Sequence, residues 1–320
     1  MAKQWTPAQM PSQAGKRFLI TGANSGIGYS AAVELARHGA QVVLLCRDRA
    51  RGEEALRRLR VEATGKESAA SIAELALLDL ASLVSVRAFA EQECARGEAV
   101  HGLINNAGLA SPPKRRETQD GFEIQFGTNV LGHFALTCRL LPALERTFAS
   151  SVADPPRVVT VSSVMHKLGK INFEDLQARR RYSPVGTYAQ SKLGDLMFTF
   201  ELERRLRAAS KSAISIAAHP GVASSNITKI GQGRGLARQA EKGVTAAVGI
   251  FFNSQEQGAL PTVFAATAPE AKGGGYYGPQ GFQELRGGDV GPAKVAKQAL
   301  DEAAQRRLWD VCAELTGCTI

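Results

Sequence analysis

Tyr188-Ala-Gln-Ser-Lys192 carries the sharpest chemical signal in the chain. In a helix the i, i+4 spacing puts the phenol and the ammonium on one face, one turn apart. A free phenol, with a pKa of about 10, is a poor base at neutral pH. A neighbouring ammonium stabilises the phenolate, so that Tyr188 can give a proton to a carbonyl oxygen or take one from an alcohol. Upstream, Val158-Val-Thr-Val161-Ser162-Ser163 brings two hydroxyls to the end of a predicted strand, where ligands bind in an open α/β sheet. A serine there can hydrogen-bond a substrate oxygen and stabilise its developing charge. Asn105-Asn106-Ala107-Gly108 closes another strand near the same crevice, and Asn129 is polar among apolar neighbours in a helical stretch. His133 reads as a packed core histidine and His166 as a residue of the pocket rim. No His/Cys/Asp/Glu cluster has metal-ligand spacing, so no metal is expected.

A second signal precedes these residues. Phe18-Leu-Ile20 runs into Thr21-Gly22-Ala-Asn24-Ser25-Gly26-Ile27-Gly28 and then into a helix. Glycines there allow a tight turn and close approach of the backbone to a pyrophosphate, while the helix N-terminus offers free N–H groups. The spacing G-x-x-x-G-x-G is one residue longer than the common dinucleotide fingerprint. The next strand ends Leu45-Cys46-Arg47, where an acidic residue would bind both ribose hydroxyls of NAD. Neutral Cys46 leaves that contact out and Arg47 supplies a charge for a 2′-phosphate, which favours NADP. Asp48 complicates the reading, because its carboxylate repels a phosphate unless it is turned away.

The elements that would position these groups follow a regular beat. Apolar runs at 18–20, 42–45, 72–78, 103–104, 158–161 and 214–218 read as strands buried on both faces. Segments 27–38, 50–62, 82–95, 119–147 and 188–208 carry helical periodicity between them, the last with Asp195, Glu201, Glu203 and Arg204 on an exposed face. The alternation predicts one α/β domain over 16–320, doubly wound, with a mostly parallel sheet and helices on both faces. Residues 1–15 read as a flexible N-terminal segment and 221–253 as a substrate lid, with 109–118 and 164–184 on the pocket rim. Further helices are expected near 243–253, 255–268 and 291–315, and a short strand within 273–279.

Composition narrows the class. The 320 residues are 44% hydrophobic and 22% charged, an ordinary profile for a soluble chain with a large core. The net charge of +9 favours anionic partners, but the charge runs are mixed, and no basic stripe interleaved with aromatics supports nucleic acid as a partner. Five cysteines without a C-x-x-C read as reduced thiols. No apolar run resembles a signal peptide or membrane anchor, and the expected location is cytoplasmic.

In this order and spacing the motifs resemble the short-chain dehydrogenase/reductase superfamily, over about residues 16–225. Leu45-Cys-Arg-Asp48, the long segment between Ser163 and Tyr188, and His219-Pro-Gly221 resemble its retinol dehydrogenase-like branch, which includes WW-domain oxidoreductase-type and protochlorophyllide reductase-type members. The resemblance implies a Rossmann-type sheet and a catalytic tetrad of Asn129, Ser163, Tyr188 and Lys192, with Ser163 preferred to Ser162 because it precedes the Val-Met-His stretch. It implies that Asn129 positions a water linked to Lys192, and that Lys192 and Tyr188 hold the nicotinamide ribose. Cofactor contacts are implied from Asp79 and Leu80 to adenine, from Asn106 and Ala107 to ribose, and from Pro220, Gly221 and Ser225 near the nicotinamide. The implied reaction is NADP-dependent hydride transfer to or from a small-molecule carbonyl or alcohol, of lipophilic character. The alternative is a catalytically silent NADP-binding sensor on the same fold. The oligomeric state stays open, a homo-oligomer being compatible with the family.

Overall fold

The structure is a computed structural model that describes residues 5–65, 72–149, 154–222 and 253–320. Five apolar runs become β1 (Arg17–Thr21), β2 (Gln41–Cys46), β4 (Gly102–Asn105), β5 (Arg157–Val161) and β6 (Ile214–Ala218), and β3 (Ala73–Leu77) lies at the edge. With β7 (Tyr276–Pro279) and β8 (Val290–Pro292) they form one eight-stranded sheet in the order β3-β2-β1-β4-β5-β6-β7-β8. Every pairing is parallel except that of β7 with β8.

Alternate residues of each strand feed two separate cores. Leu19, Val43, Leu103 and Val158 face one layer, built of α3 (Leu83–Ala95), α4 (Gly132–Ala149), α5 (Pro184–Ala208) and α7 (Glu302–Thr316). Phe18, Val42, Ile104 and Val159 face the other, built of α1 (Gly26–Arg37), α2 (Arg49–Thr64) and α6 (Gln255–Thr267). That two-sided burial is why these strands read as continuous apolar runs and not as alternating ones. Strand order reverses between β1 and β4, so the loops at their carboxyl ends diverge and leave a crevice.

The helix ends are written in the sequence. Asp48 caps α2 by accepting from the Arg51 N–H, and Ser183 caps α5 with Pro184 in its first turn. Gly65 and Gly317, both in the left-handed region, close α2 and α7.

Four expectations are revised. Residues 5–15 are not a loose lead-in: Trp5, Met10 and Gln13 are buried, and the Trp5 ring stands edge-on to Phe264 of α6 at 5.3 Å. Helix α5 begins at Pro184 and has no polar face where Asp195 and Glu201 lie, since both are 2% exposed. The helix runs between the sheet and its neighbours, and these carboxylates persist there because Lys192 pairs with one and Arg204 and Arg205 with the other. The C-terminal stretch expected as a helix from 291 first forms β8, where Val290, Gly291 and Pro292 pair with β7; α7 starts only after the Asp301 cap. The helix expected over 119–147 starts at Ile124 and passes through a π-helical stretch, Gly127–Leu131, before α4. The expected lid over 221–253, and with it Ser225 and the helix near 243, lies outside the described residues except for residues 221, 222 and 253.

Candidate active site

A cleft of about 500 Å³ opens at the carboxyl ends of β1, β4 and β5. Sixteen of the expected site residues line it, from Gly22 in the first turn to Gly221 after β6. Asn129 is the exception among the described residues: it is fully buried behind the cleft wall.

The glycine turn forms the floor at one end. Gly22 and Gly26 adopt φ values of +67° and +62°, a conformation costly for any residue with a Cβ. Gly28 is required for a different reason. A Cβ there would run into the Asn106 side-chain amide and come within 2.9 Å of the Gly22 carbonyl oxygen. Asn106 is held close by its own bonds, donating Nδ2–H to the Thr21 carbonyl (2.8 Å) and its backbone N–H to the Thr21 hydroxyl (2.9 Å). Ser25 precedes α1 without capping it through its side chain, so the first N–H groups of the helix remain turned to the cleft. Arg47 is exposed on the rim, and Cys46 before it is buried, its thiol pushed up to about 12 by burial. Asp48, its acidic neighbour, is committed elsewhere: Oδ1 accepts from the Arg51 N–H at 3.0 Å. The cradle therefore fits a dinucleotide, with Arg47 lining the cleft at the end of β2 and Asp48 engaged by α2.

At the other end stand the hydroxyl, phenol and ammonium. Ser163 lies two residues after β5 and caps a short 3₁₀ turn, accepting from the Met165 N–H at 3.2 Å, and lines the cleft. The Ser162 hydroxyl is spent on structure, donating to the Lys192 carbonyl at 2.7 Å. Tyr188 is half-buried on α5, with the Lys192 ammonium 6.0 Å from its ring centre. Lys192 is almost wholly buried and donates to the Val161 carbonyl (2.9 Å) and to the Asp195 carboxylate (2.7 Å). Burial works against its charge, yet Asp195 and Tyr188 outweigh it and hold the ammonium above its ordinary range. Burial pushes Asp195 up to about 6 against the pull of that ammonium.

Asn129 lies in the π-helical stretch, a distortion that recurs at functional sites. Its amide accepts from the Leu109 N–H (2.9 Å) and donates to the Leu109 carbonyl (3.0 Å) and the Ser191 hydroxyl (2.9 Å), joining the loop after β4 to α5. Its own carbonyl accepts from His133 Nδ1 at 2.8 Å, which fixes the tautomer, since a carbonyl cannot donate. Nε2 of His133 then accepts from the Thr21 hydroxyl at 2.9 Å. Burial lowers His133 to about 3, so the ring is neutral and packed, as its sequence context suggests. His166 is not on the rim. It is fully buried, donates Nδ1–H to the Ser163 carbonyl (2.7 Å) and accepts from the Ala296 N–H (3.2 Å), pinning the segment before α7 to the end of β5.

Three residues of this site escape a reading by motif: Thr21, His133 and Asp195. Thr21 sits beside Gly22 of the glycine turn and His133 one helical turn after Asn129, and their roles are visible only once β1, β4 and α4 are adjacent. Asp195 follows Lys192 by three positions, a spacing that does put both on one side of a helix.

Comparison with known proteins places the chain. A sequence profile of the short chain dehydrogenase family matches residues 16–232. Retinol dehydrogenase 14 of Mus musculus is 40% identical over 310 residues, covering 95% of this chain and 86% of the relative. Polyprenol dehydrogenase of Mus musculus is 41% identical over 312 residues, covering 97% and 87%. The crystal structure of an uncharacterized protein from Mycobacterium Paratuberculosis superposes with a TM-score of 0.77 at 38% identity, over 99% of this chain and 98% of that one. With its parallel sheet, its glycine turn and its Tyr188–Lys192 helix, this chain belongs to the short-chain dehydrogenase family.

Proposed function

We propose that the protein is an NADP(H)-dependent oxidoreductase acting on a lipophilic carbonyl or alcohol, with Tyr188 as proton donor and acceptor. One observation carries this reading: Ser163, Tyr188 and Lys192 meet the glycine-turn cradle in a single cleft. The nicotinamide, when bound, supplies or accepts the hydride. The chain does the rest. Ser163 orients the substrate oxygen, Tyr188 gives it a proton in reduction or takes one in oxidation, and Lys192 steadies the phenolate and holds the ribose. Asn129 positions the route by which the lysine exchanges protons with solvent. The turn from Gly22 to Gly28 and the first N–H groups of α1 hold the pyrophosphate, Asp79 and Leu80 the adenine, and Asn106 and Ala107 a ribose, with Pro220 and Gly221 at the nicotinamide.

NADP is preferred to NAD because Arg47 is on the rim while the Asp48 carboxylate is engaged by α2. The lipophilic substrate is supported by Leu109, Val164, Met165 and Val222, which line the cleft around Ser163 and Tyr188, and by relatives named for retinol and polyprenol, both long apolar alcohols.

The test follows NADPH and NADH oxidation by the purified protein across aliphatic, aromatic, polyene and steroid aldehydes and ketones. Turnover with NADPH well above NADH, rising with the apolar length of the substrate, is expected. A preference for NADH overturns the role of Arg47. Tight cofactor binding without turnover on any class points instead to a silent sensor.

A further inference from the structure

The catalytic-type lysine of this cleft carries a buried counter-ion. Lys192 has three N–H donors; one goes to the Val161 carbonyl and one to Asp195, which leaves one for the cleft. The Lys192 and Asp195 side chains are 5% and 3% exposed, so water screens them far less than it screens a surface pair. Val161 is part of β5 and cannot move without the sheet, whereas Asp195 shares α5 with both Tyr188 and Lys192.

We propose that Asp195 is a positioning residue of the proton relay: its carboxylate fixes the Lys192 ammonium and offsets the charge that would otherwise draw the proton from Tyr188. The inference rests on the reading of Tyr188 as proton donor. A phenol beside an uncompensated ammonium ionises easily; beside an ammonium already paired with a carboxylate it does so less. The paired arrangement therefore holds the site in the protonation state that carbonyl reduction uses. In that direction the Tyr188 O–H bond breaks, its proton goes to the substrate oxygen, and the carbonyl carbon is reduced by the hydride of the nicotinamide cofactor.

Among the described residues Lys192 is the charge partner of Asp195, and Tyr276 of β7, which faces Tyr188, is kept protonated by burial. Cys312 of α7 faces Asp195, and burial pushes its thiol up, so it stays neutral. His133 of α4 faces Lys192 and is neutral, lowered to about 3. Tyr188 lies one turn back on α5 and, when ionised, acts on the ammonium in the same sense as Asp195.

The test measures Tyr188 ionisation in the cofactor-free protein, as the tyrosinate absorbance difference between each protein and its Tyr188→Phe partner. With Asp195→Asn, which keeps an acceptor for Lys192, the Tyr188 midpoint is expected to fall by about one pH unit. The pH dependence of alcohol oxidation should move with it, and Asp195→Glu should restore both. An unmoved or raised midpoint overturns the proposal. If Asp195→Asn does not fold, carbon-13 detection of the Asp195 carboxyl in the unaltered protein decides. Its titration must show an inflection at the Tyr188 midpoint that disappears in Tyr188→Phe, and a curve without that inflection is equally fatal. Failure of the underlying reading looks different, because Tyr188→Phe would then keep its turnover.

Discussion

Arg47 and Asp48 stand side by side with opposite charges, and what separates their roles is a helix cap. The Asp48 carboxylate satisfies the Arg51 N–H and sits at the positive end of α2, where an anion is stabilised. Asp48 is absent from the cleft lining to which Arg47 belongs. A charged hydrogen bond from Arg47 to a 2′-phosphate would be worth about 1.5–3 kcal/mol, or roughly a 10- to 150-fold change in affinity. Arg47→Gln is therefore expected to raise the Kd for NADPH by about that factor and to leave the Kd for NADH within about twofold. Calorimetric titration of both cofactors checks it. An equal loss for the two would mean that Arg47 serves the adenine end in general and does not select the phosphate.

At the scale of elements, the glycine turn, the strand ends and the start of α5 act as one frame, and Gly28 shows how tightly it is built. A methyl group at Gly28 would displace the Asn106 amide from Thr21 and so loosen the contact between β1 and the loop after β4. Gly28→Ala is expected to weaken cofactor binding by more than about tenfold, in line with the loss of a backbone approach that only glycine permits. Its far-UV circular dichroism should stay close to that of the parent. Retained affinity would show that the turn can shift without cost. Much of this frame is legible in the sequence, because glycine spacing, apolar strands and capping residues are local signals. Two kinds of feature are not. The burial of Asp195 and Glu201 depends on partners, Lys192 for one and Arg204 and Arg205 for the other, that neutralise charges which by themselves mark an exposed face. The packing of Trp5 onto Phe264 joins residues from opposite ends of the chain, and no local pattern announces a partner that distant.

Across the whole molecule, burial of histidines ties stability to pH. His101, His133, His166 and His219 are all lowered chiefly by desolvation, His133 and His219 to about 3. Such a ring binds fewer protons in the folded than in the unfolded chain. Its contribution is complete above the ordinary value of 6.5 and is lost as pH falls from there towards the folded value. Asp195 acts with the opposite sign, since a carboxyl raised from 3.8 to about 6 favours the folded state at the acid end of that window. Four histidines against this one strongly raised carboxyl leave a net loss of stability on acidification. His219 is the cleanest place to test the argument. Its Nδ1 accepts from the Gly221 N–H at 3.2 Å, a bond that an asparagine oxygen can replace, while its Nε2 is buried with no partner. His219→Asn should therefore flatten the fall of Tm with decreasing pH below 6.5 by the equivalent of about one proton. A slope identical to that of the parent would show that the ring reaches solvent or a partner before it charges, and would remove His219 as a source of the acid sensitivity.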